Sequence, residues 1–339
     1  MLDWRRWFRR AIANSARQIH QAERWIRTRP DQVFLDSRCT ERLPLRLPSP
    51  ERLRVHRVCI ATGAADRCRA AVGQASLAID VNVTDDTRPF TVGRVQGTAG
   101  WLHVLDGTGL NLLLAELSTV SDVVAYLDAK SKLFDGGMFQ GAPSEADLLA
   151  QYLWHGRSFP SIARPYVLRP NLWRHIETDA RFQAGQRENA VSNFWDRLIE
   201  YLTKHYLERT LEFGNELEVA EYEELARIMA SESRFHRRVL SKAILERADR
   251  ARDAKIGSLL PSEQPDVVYV LLIGRGSQGG DYAEYRADRN RELQLRCWAA
   301  KAARPNCRYV VGIALDAWAS AVVLRILFIS TRRIGPMRS

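Results

Sequence analysis

The sequence predicts an α/β protein, a mixed sheet with flanking helices joined to a region of long helices, and three observations carry that expectation. Residues 267–273 (V-V-Y-V-L-L-I) form an uninterrupted apolar run of the kind found in a strand buried on both faces. A second buried strand, residues 308–315 (R-Y-V-V-G-I-A-L), follows a charged helical stretch at about 282–302, which makes a strand–helix–strand unit whose parallel pairing requires a right-handed crossover. Residues 189–253 carry helical periodicity almost throughout.

The elements follow in chain order. Residues 4–27 predict an amphipathic helix, because Trp4, Trp7, Phe8, Ala11, Ile12, Ile19, Ala22 and Ile26 recur at three- and four-residue spacing. Arg5, Arg6, Arg9, Arg10, Arg17, Arg24 and Arg27 fall on the opposite arc, so one face packs and the other is cationic. Pro30 ends the helix, and a stretch rich in proline and charge runs to Arg54. Residues 55–62, 76–83, 90–95 and 101–106 read as strands, the last stopped by Gly107 and Gly109. Residues 110–133 read as one helix, with Leu113, Leu114, Leu117, Val120, Val124 and Leu127 in register and Gly136-Gly137 closing it. Ser144-Glu145-Ala146-Asp147 has the composition of a helix start. The long helices beyond residue 189 break near Gly214 and around residues 231–233, beside Arg234, Arg237 and Arg238, and residues 256–265 read as a loop.

Four regions are expected from this: 1–135 α/β, 136–255 mainly helical, 256–316 strand–helix–strand, and an atypical tail at 317–339. Residues 318–329 are apolar except for Ser320 and Arg325, too short a run for a span of about 20 residues. A buried helix and a strand pair are both open for it.

Charge argues by location. The chain carries a net +10, of which residues 1–30 hold +6 (eight Arg against Asp3 and Glu23) and residues 317–339 hold +4. The 286 residues between them carry 38 basic and 38 acidic side chains, so the body has no excess with which to attract phosphate. The opening helix is the one place where a phosphate contact is expected, through Arg5, Arg6, Arg9, Arg10, Arg17 and Arg24. An anionic lipid surface or plain solvation would use the same face. Five cysteines without a C-x-x-C pair read as reduced thiols, and seven histidines scattered singly give no zinc spacing. With no secretory leader preceding them, a cytoplasmic location is expected.

Motifs are sparse. Gly274-Arg275-Gly276-Ser277-Gln278-Gly279 matches G-x-G-x-x-G between a strand and a helix, but the acid expected about 20 residues on is missing, since Asp316 lies 37 beyond Gly279. A plain strand-to-helix loop is the favoured reading, with nucleotide binding behind it. A metal-dependent nuclease site needs two acids and a lysine close together. Asp106 followed by Glu116 has a suitable spacing, yet position 118 is Ser118. Asp128-Ala129-Lys130 has the D-x-K letters on a helix, where groups two apart project about 200° from each other. These residues read as surface. No G-x-S-x-G elbow occurs.

Several segments together carry a resemblance. They are Trp4-Arg5-Arg6-Trp7-Phe8-Arg9-Arg10-Ala11 with Ser15-Ala16-Arg17-Gln18 and Ala22-Glu23-Arg24-Trp25, Phe34-Leu35-Asp36-Ser37-Arg38-Cys39 with Pro44, Val55-His56-Arg57, and His103-Val104-Leu105-Asp106. The most specific is Glu116-Leu117-Ser118-Thr119-Val120-Ser121-Asp122-Val123-Val124-Ala125-Tyr126-Leu127 followed by Lys130, with Tyr285-Arg286, Arg289, Arg304-Pro305 and Gly312-Ile313-Ala314 further on. Over residues 4–316 the chain resembles an uncharacterised bacterial family with a restriction-endonuclease-like core. The resemblance implies a mixed sheet of that kind and a protein that acts on or binds DNA in defence or repair. Family members carry, upstream of the opening helix, a strand pair that ends Ser-Asp-Lys and has the layout of a metal site. This chain begins after it, so a truncated, incomplete sheet is expected, with no catalytic residue and no cofactor, and Mg²⁺ only where an upstream hairpin supplies its ligands. The tail departs from the family's Gly-rich acidic continuation, as a frameshift would produce. DNA is the first expected partner; another protein, held by the long helices of a non-enzymatic scaffold, is the second.

Overall fold

The computed structural model describes residues 2–45, 47–95, 100–211, 217–251, 254–274, 281–316 and 325–330, in two units, Met1–Gly185 and Gln186–Ser339. The protein is α/β, built of small mixed sheets with flanking helices, as the sequence predicts. Among the described residues no helix is long and apolar enough to cross a membrane.

In the first unit, α1 (Leu2–Phe8) runs through a π-helical segment (Arg9–Ala13) into α2 (Asn14–Thr28). Trp4, Phe8, Ile12 and Ala16 are all buried. At 3.6 residues per turn a four-residue spacing drifts by ~40° a step, and the wider π-helical turn offsets that drift. There follow β1 (Arg57–Ala61), α3 (Ala65–Val72), β2 (Ala78–Asp80), β3 (Thr91–Val92) and β4 (Leu102–Asp106). Then come α4 (Gly107–Glu116), α5 (Val120–Asp135), β5 (Phe139–Ala142), α6 (Glu145–Trp154), β6 (Tyr166–Val167) and α7 (Leu172–Glu177), and α8 (Ala180–Asn189) carries the chain across the division.

Among the described residues β1 pairs with β4 alone, in parallel, Arg57 opposite Leu102 through Ala61 opposite Asp106. A second sheet has the order β3-β2-β5-β6. The stripe of α1 and α2 lies in one core with Cys59, Ala61 and Cys68 and with Val104 and Leu148. Leu105, Leu113, Leu117, Tyr126 and Leu149 form another.

Two expectations for this unit need correction. The helix read across residues 110–133 is two helices, because Thr119 starts a new one: its Oγ1 accepts from the Asp122 amide (3.1 Å) and its hydroxyl donates to the Asp122 carboxylate (2.8 Å). The leucine period continues across the break and hides it. The strands read at 76–83 and 90–95 shorten to β2 and β3; the Asn82 amide donates to the Asp80 carboxylate (3.0 Å), a turn of the kind that ends a strand.

In the second unit a 3₁₀ turn (Ala190–Ser192) leads into α9 (Asn193–Leu207), α10 (Val219–Ala230) and α11 (Arg234–Arg250). After them come β7 (Ile256–Pro261), β8 (Val267–Gly274), α12 (Tyr282–Ala303), β9 (Tyr309–Asp316) and β10 (Arg325–Ser330). The sheet order is β10-β9-β8-β7, with β8 and β9 parallel and both outer pairs antiparallel. Every residue of β8 and β9 is buried, which explains their continuous apolar runs. Tyr269, Leu271, Ile273, Val311 and Ile313 pack with Trp195, Leu202, Leu240 and Ile244 of α9 and α11. The alternate residues Val268, Val270, Leu272, Val310 and Ala314 pack with Leu293, Cys297 and Ala300 of α12.

The loop expected at 256–265 is largely the edge strand β7. Gly257 and Pro261 mask it in the sequence, and an edge position tolerates proline. Residues 325–330 of the tail form a strand; its remainder lies outside the described residues. At Gly312 a Cβ would stand 2.7 Å from Cys297 Sγ and 3.2 Å from Leu293 Cγ, so α12 lies on β9 because this residue has no side chain. Gly312→Val is expected to destabilise the second unit by about 1–3 kcal/mol, measured by urea unfolding; an unchanged midpoint would show that α12 can slide to make room.

Candidate functional site

The arginine face is the first candidate. Arg5, Arg6, Arg9, Arg10, Arg17 and Arg24 are all exposed on the opening helix, while the opposite stripe anchors it. They are not equivalent. Arg9 lies 4.0 Å from Asp86, and Arg17 donates to Asn14. Asp85 is held below the ordinary carboxylate range, first by the Thr87 hydroxyl and amide and to a lesser degree by Arg5. Arg6, Arg10 and Arg24 have no ion-pair partner among the described residues. Arg27, placed on the same arc by its spacing, is instead half-buried and donates to Glu23 (2.9 Å). Glu23 is buried and also takes Arg57 at the start of β1 (2.5 Å). Burial raises its pKa, but the bonds from Arg57 and Arg27 outweigh that and leave the carboxylate below its usual range. This pair ties α2 to β1 and was not foreseen, since Glu23 reads in the sequence only as one of two acids in a basic helix.

A second centre gathers the residue types that a metal-dependent nuclease uses, though not from the positions their spacing suggests. Asp106 and Lys130, read as surface residues, are 3% and 2% exposed. Asp106 ends β4 and caps α4: its Oδ1 accepts from the Gly109 amide (2.7 Å) and its Oδ2 from the Ser76 hydroxyl and the Leu77 amide (both 2.6 Å). Lys130 donates to Glu145 Oε2 (2.6 Å), and Tyr126 donates to Glu145 Oε1 (2.7 Å). Burial first, and then Glu145, raise the Tyr126 phenol well above its ordinary value, so it remains a donor. Glu145 stands against Gly109, whose added Cβ would lie 2.9 Å from the Glu145 Cβ and 3.4 Å from Asp106 Oδ1. Glu116 and Asp128, the other members of the two spacings, are only partly buried and stay outside this centre.

The set does not fit Mg²⁺. Hard cations need carboxylate oxygens free to bind them, and every oxygen of Asp106 and Glu145 is engaged by a donor of the chain. Among the described residues no group of three His, Cys, Asp or Glu side chains is disposed to hold a metal. The arrangement is a closed polar core: it positions α4, α5 and α6 against one another.

His103 adjoins this core. Its Nε2 meets the Ser131 hydroxyl at 3.3 Å, and its pKa is pushed down to about 3, chiefly by burial, with further lowering by Lys130, His56 and Arg57. It is neutral throughout the physiological range.

The third centre lies in the second unit, where β8 and β9 end side by side at Gly274 and Asp316. Of the 274–279 motif only Gly274 belongs to the described residues. Asp316, 37 residues beyond Gly279 and so too far along for the acid of a dinucleotide motif, is buried and accepts from the Tyr285 hydroxyl (2.7 Å) and from Arg289 Nη1. A Cβ at Gly274 would stand 2.2 Å from the Tyr285 oxygen, so glycine is what admits that hydroxyl. The four-residue spacing of Tyr285 and Arg289, one helical turn, is the sequence signal for their convergence. No protein-family model, no curated protein and no solved structure matches the chain.

Proposed function

We propose that this chain binds nucleic-acid phosphates through the exposed arginines of its opening helix, as the DNA-contacting body of a nuclease-like protein rather than as its cleaving centre. The observation that carries the reading is the pairing of an anchored apolar stripe with an arginine row held away from the core. Arg6 to Arg24 extend ~27 Å along the axis at 1.5 Å per residue, enough to follow several phosphates of one strand. The closed hydrogen bonding of Asp106 and Glu145 supports binding over cleavage. Any metal-dependent step, with Mg²⁺, would have to draw its ligands from residues outside this core.

Fluorescence anisotropy with duplex DNA over a salt series tests this. Each phosphate contact contributes about −0.9 to the slope of log K against log salt. Replacing Arg5, Arg6, Arg9 and Arg10 together by Ala is expected to flatten that slope by about 2 to 4, with Arg9 giving the smallest share because Asp86 already stands 4.0 Å from it. An unchanged slope would remove the helix from the interface. A protein partner is the second reading, favoured by Phe235 and Val239, exposed one turn apart on α11. Size-exclusion chromatography with and without DNA separates the two, since only the first gives a DNA-dependent shift.

A further inference from the structure

Arg289 is 2% exposed, and one of its three guanidinium nitrogens is paired among the described residues. Its Nη1 donates to Asp316, while Nε and Nη2, both buried, have no hydrogen-bond partner among the described residues. Those two nitrogens share one edge of the guanidinium, and their N–H groups point the same way. That edge receives two oxygens of one carboxylate or phosphate in the side-on bidentate arrangement. Buried donors are rarely left without an acceptor, because they give up water and gain nothing in exchange. From this geometry we propose that Arg289, with Tyr285 and Asp316 at the carboxyl ends of β8 and β9, forms a binding site for a two-oxygen anion, a phosphate or a carboxylate.

The surroundings bear on the sign of the charge. Asp316 would repel an anion if it stood alone, but it is matched by Arg289 Nη1 and by the Tyr285 hydroxyl. Arg286, one turn before Arg289, adds a second positive charge; burial and the neighbouring Arg289 hold its pKa below the ordinary arginine value. The amino end of α12 does not supply the site, because Asp281 caps it by accepting from the Ala283 amide (2.8 Å). The exposed acids Asp281, Glu284 and Asp288 disfavour anions at the helix surface, so a ligand is held by the buried fork. The carboxyl ends of parallel strands are where α/β sheets bind their ligands. Both donors are shielded from solvent, so entry requires a local opening around Arg289.

The test uses the full chain with sodium phosphate in one arm, sodium acetate in a second, and sodium chloride at matched ionic strength as reference. Phosphate or acetate is expected to raise Tm saturably by a few degrees and to slow hydrogen exchange at the ends of β8 and β9 and the first turns of α12. An effect of phosphate alone assigns a phosphate ligand, and of acetate alone a carboxylate. Arg289→Lys keeps the charge and lacks the fork, so it should weaken binding at least tenfold. Neither anion exceeding chloride, or Arg289→Lys binding as tightly as the parent, overturns the proposal. Should that variant fail to fold, the exchange map of the parent decides: slowed exchange elsewhere, with none at the strand ends, refutes the site.

Discussion

Lys130→Met is expected to destabilise the chain by about 3–5 kcal/mol, the usual cost of leaving the other member of a buried ion pair without its partner. The pair sits within one of the cores of the first unit, and among the described residues Glu145 would keep only the Tyr126 hydroxyl. Adding Glu145→Gln to Lys130→Met removes that charge and should recover most of the loss, since exchanging a whole buried pair for neutral groups is often close to neutral. Urea unfolding of the whole chain measures the totals, and hydrogen exchange at the β4 amides assigns them to the first unit. A loss below about 1 kcal/mol, the range of solvated surface pairs, would mean that water reaches Lys130 and that the core is not closed.

Acid should unfold the first unit through His103. The folded protein holds this imidazole neutral down to about pH 3, whereas the unfolded chain takes a proton near 6.5. Between those values the unfolded state binds more protons, so stability is complete above pH 6.5 and falls as the pH drops toward 3. At 1.36 kcal/mol per pKa unit the loss is on the order of 5 kcal/mol. His103→Asn, which cannot titrate, should flatten the acid limb of a stability-against-pH curve read at the β4 amides. A variant that loses stability over pH 6.5 to 3 as steeply as the parent would assign the acid limb to other groups. Lys130 is one of the charges that lower His103, so Lys130→Met should also raise the pH at which His103 protonates, and the two substitutions are expected not to add.

Both of these groups show where reading a sequence stops. Val267–Gly274 and Tyr309–Asp316 were legible because burial on both faces leaves an apolar run that needs no partner to be noticed. The opening helix was legible because its stripe and its arginines sit at fixed turns of one element. The pairing of Lys130 with Glu145 was not, since 15 residues and a change of element separate them, and a lysine on an amphipathic helix looks solvated until its neighbours are known. The same holds for Asp106, whose partners Ser76 and Leu77 come from 30 and 29 residues earlier in the chain. Gly257 and Pro261 concealed an edge strand because only pairing with β8 makes one.

Local pattern alone therefore determined that this chain has an α/β architecture, an amphipathic cationic helix at its start, and two fully buried strands around a charged helix. Tertiary structure alone decided that the acid and lysine of the first unit close on one another instead of opening to a ligand, and that one edge of Arg289, beside Asp316, has no partner among the described residues. The physical reason is that periodicity is a property of a single element, whereas the state of a buried charge depends on which distant group supplies its counter-charge and hydrogen bonds.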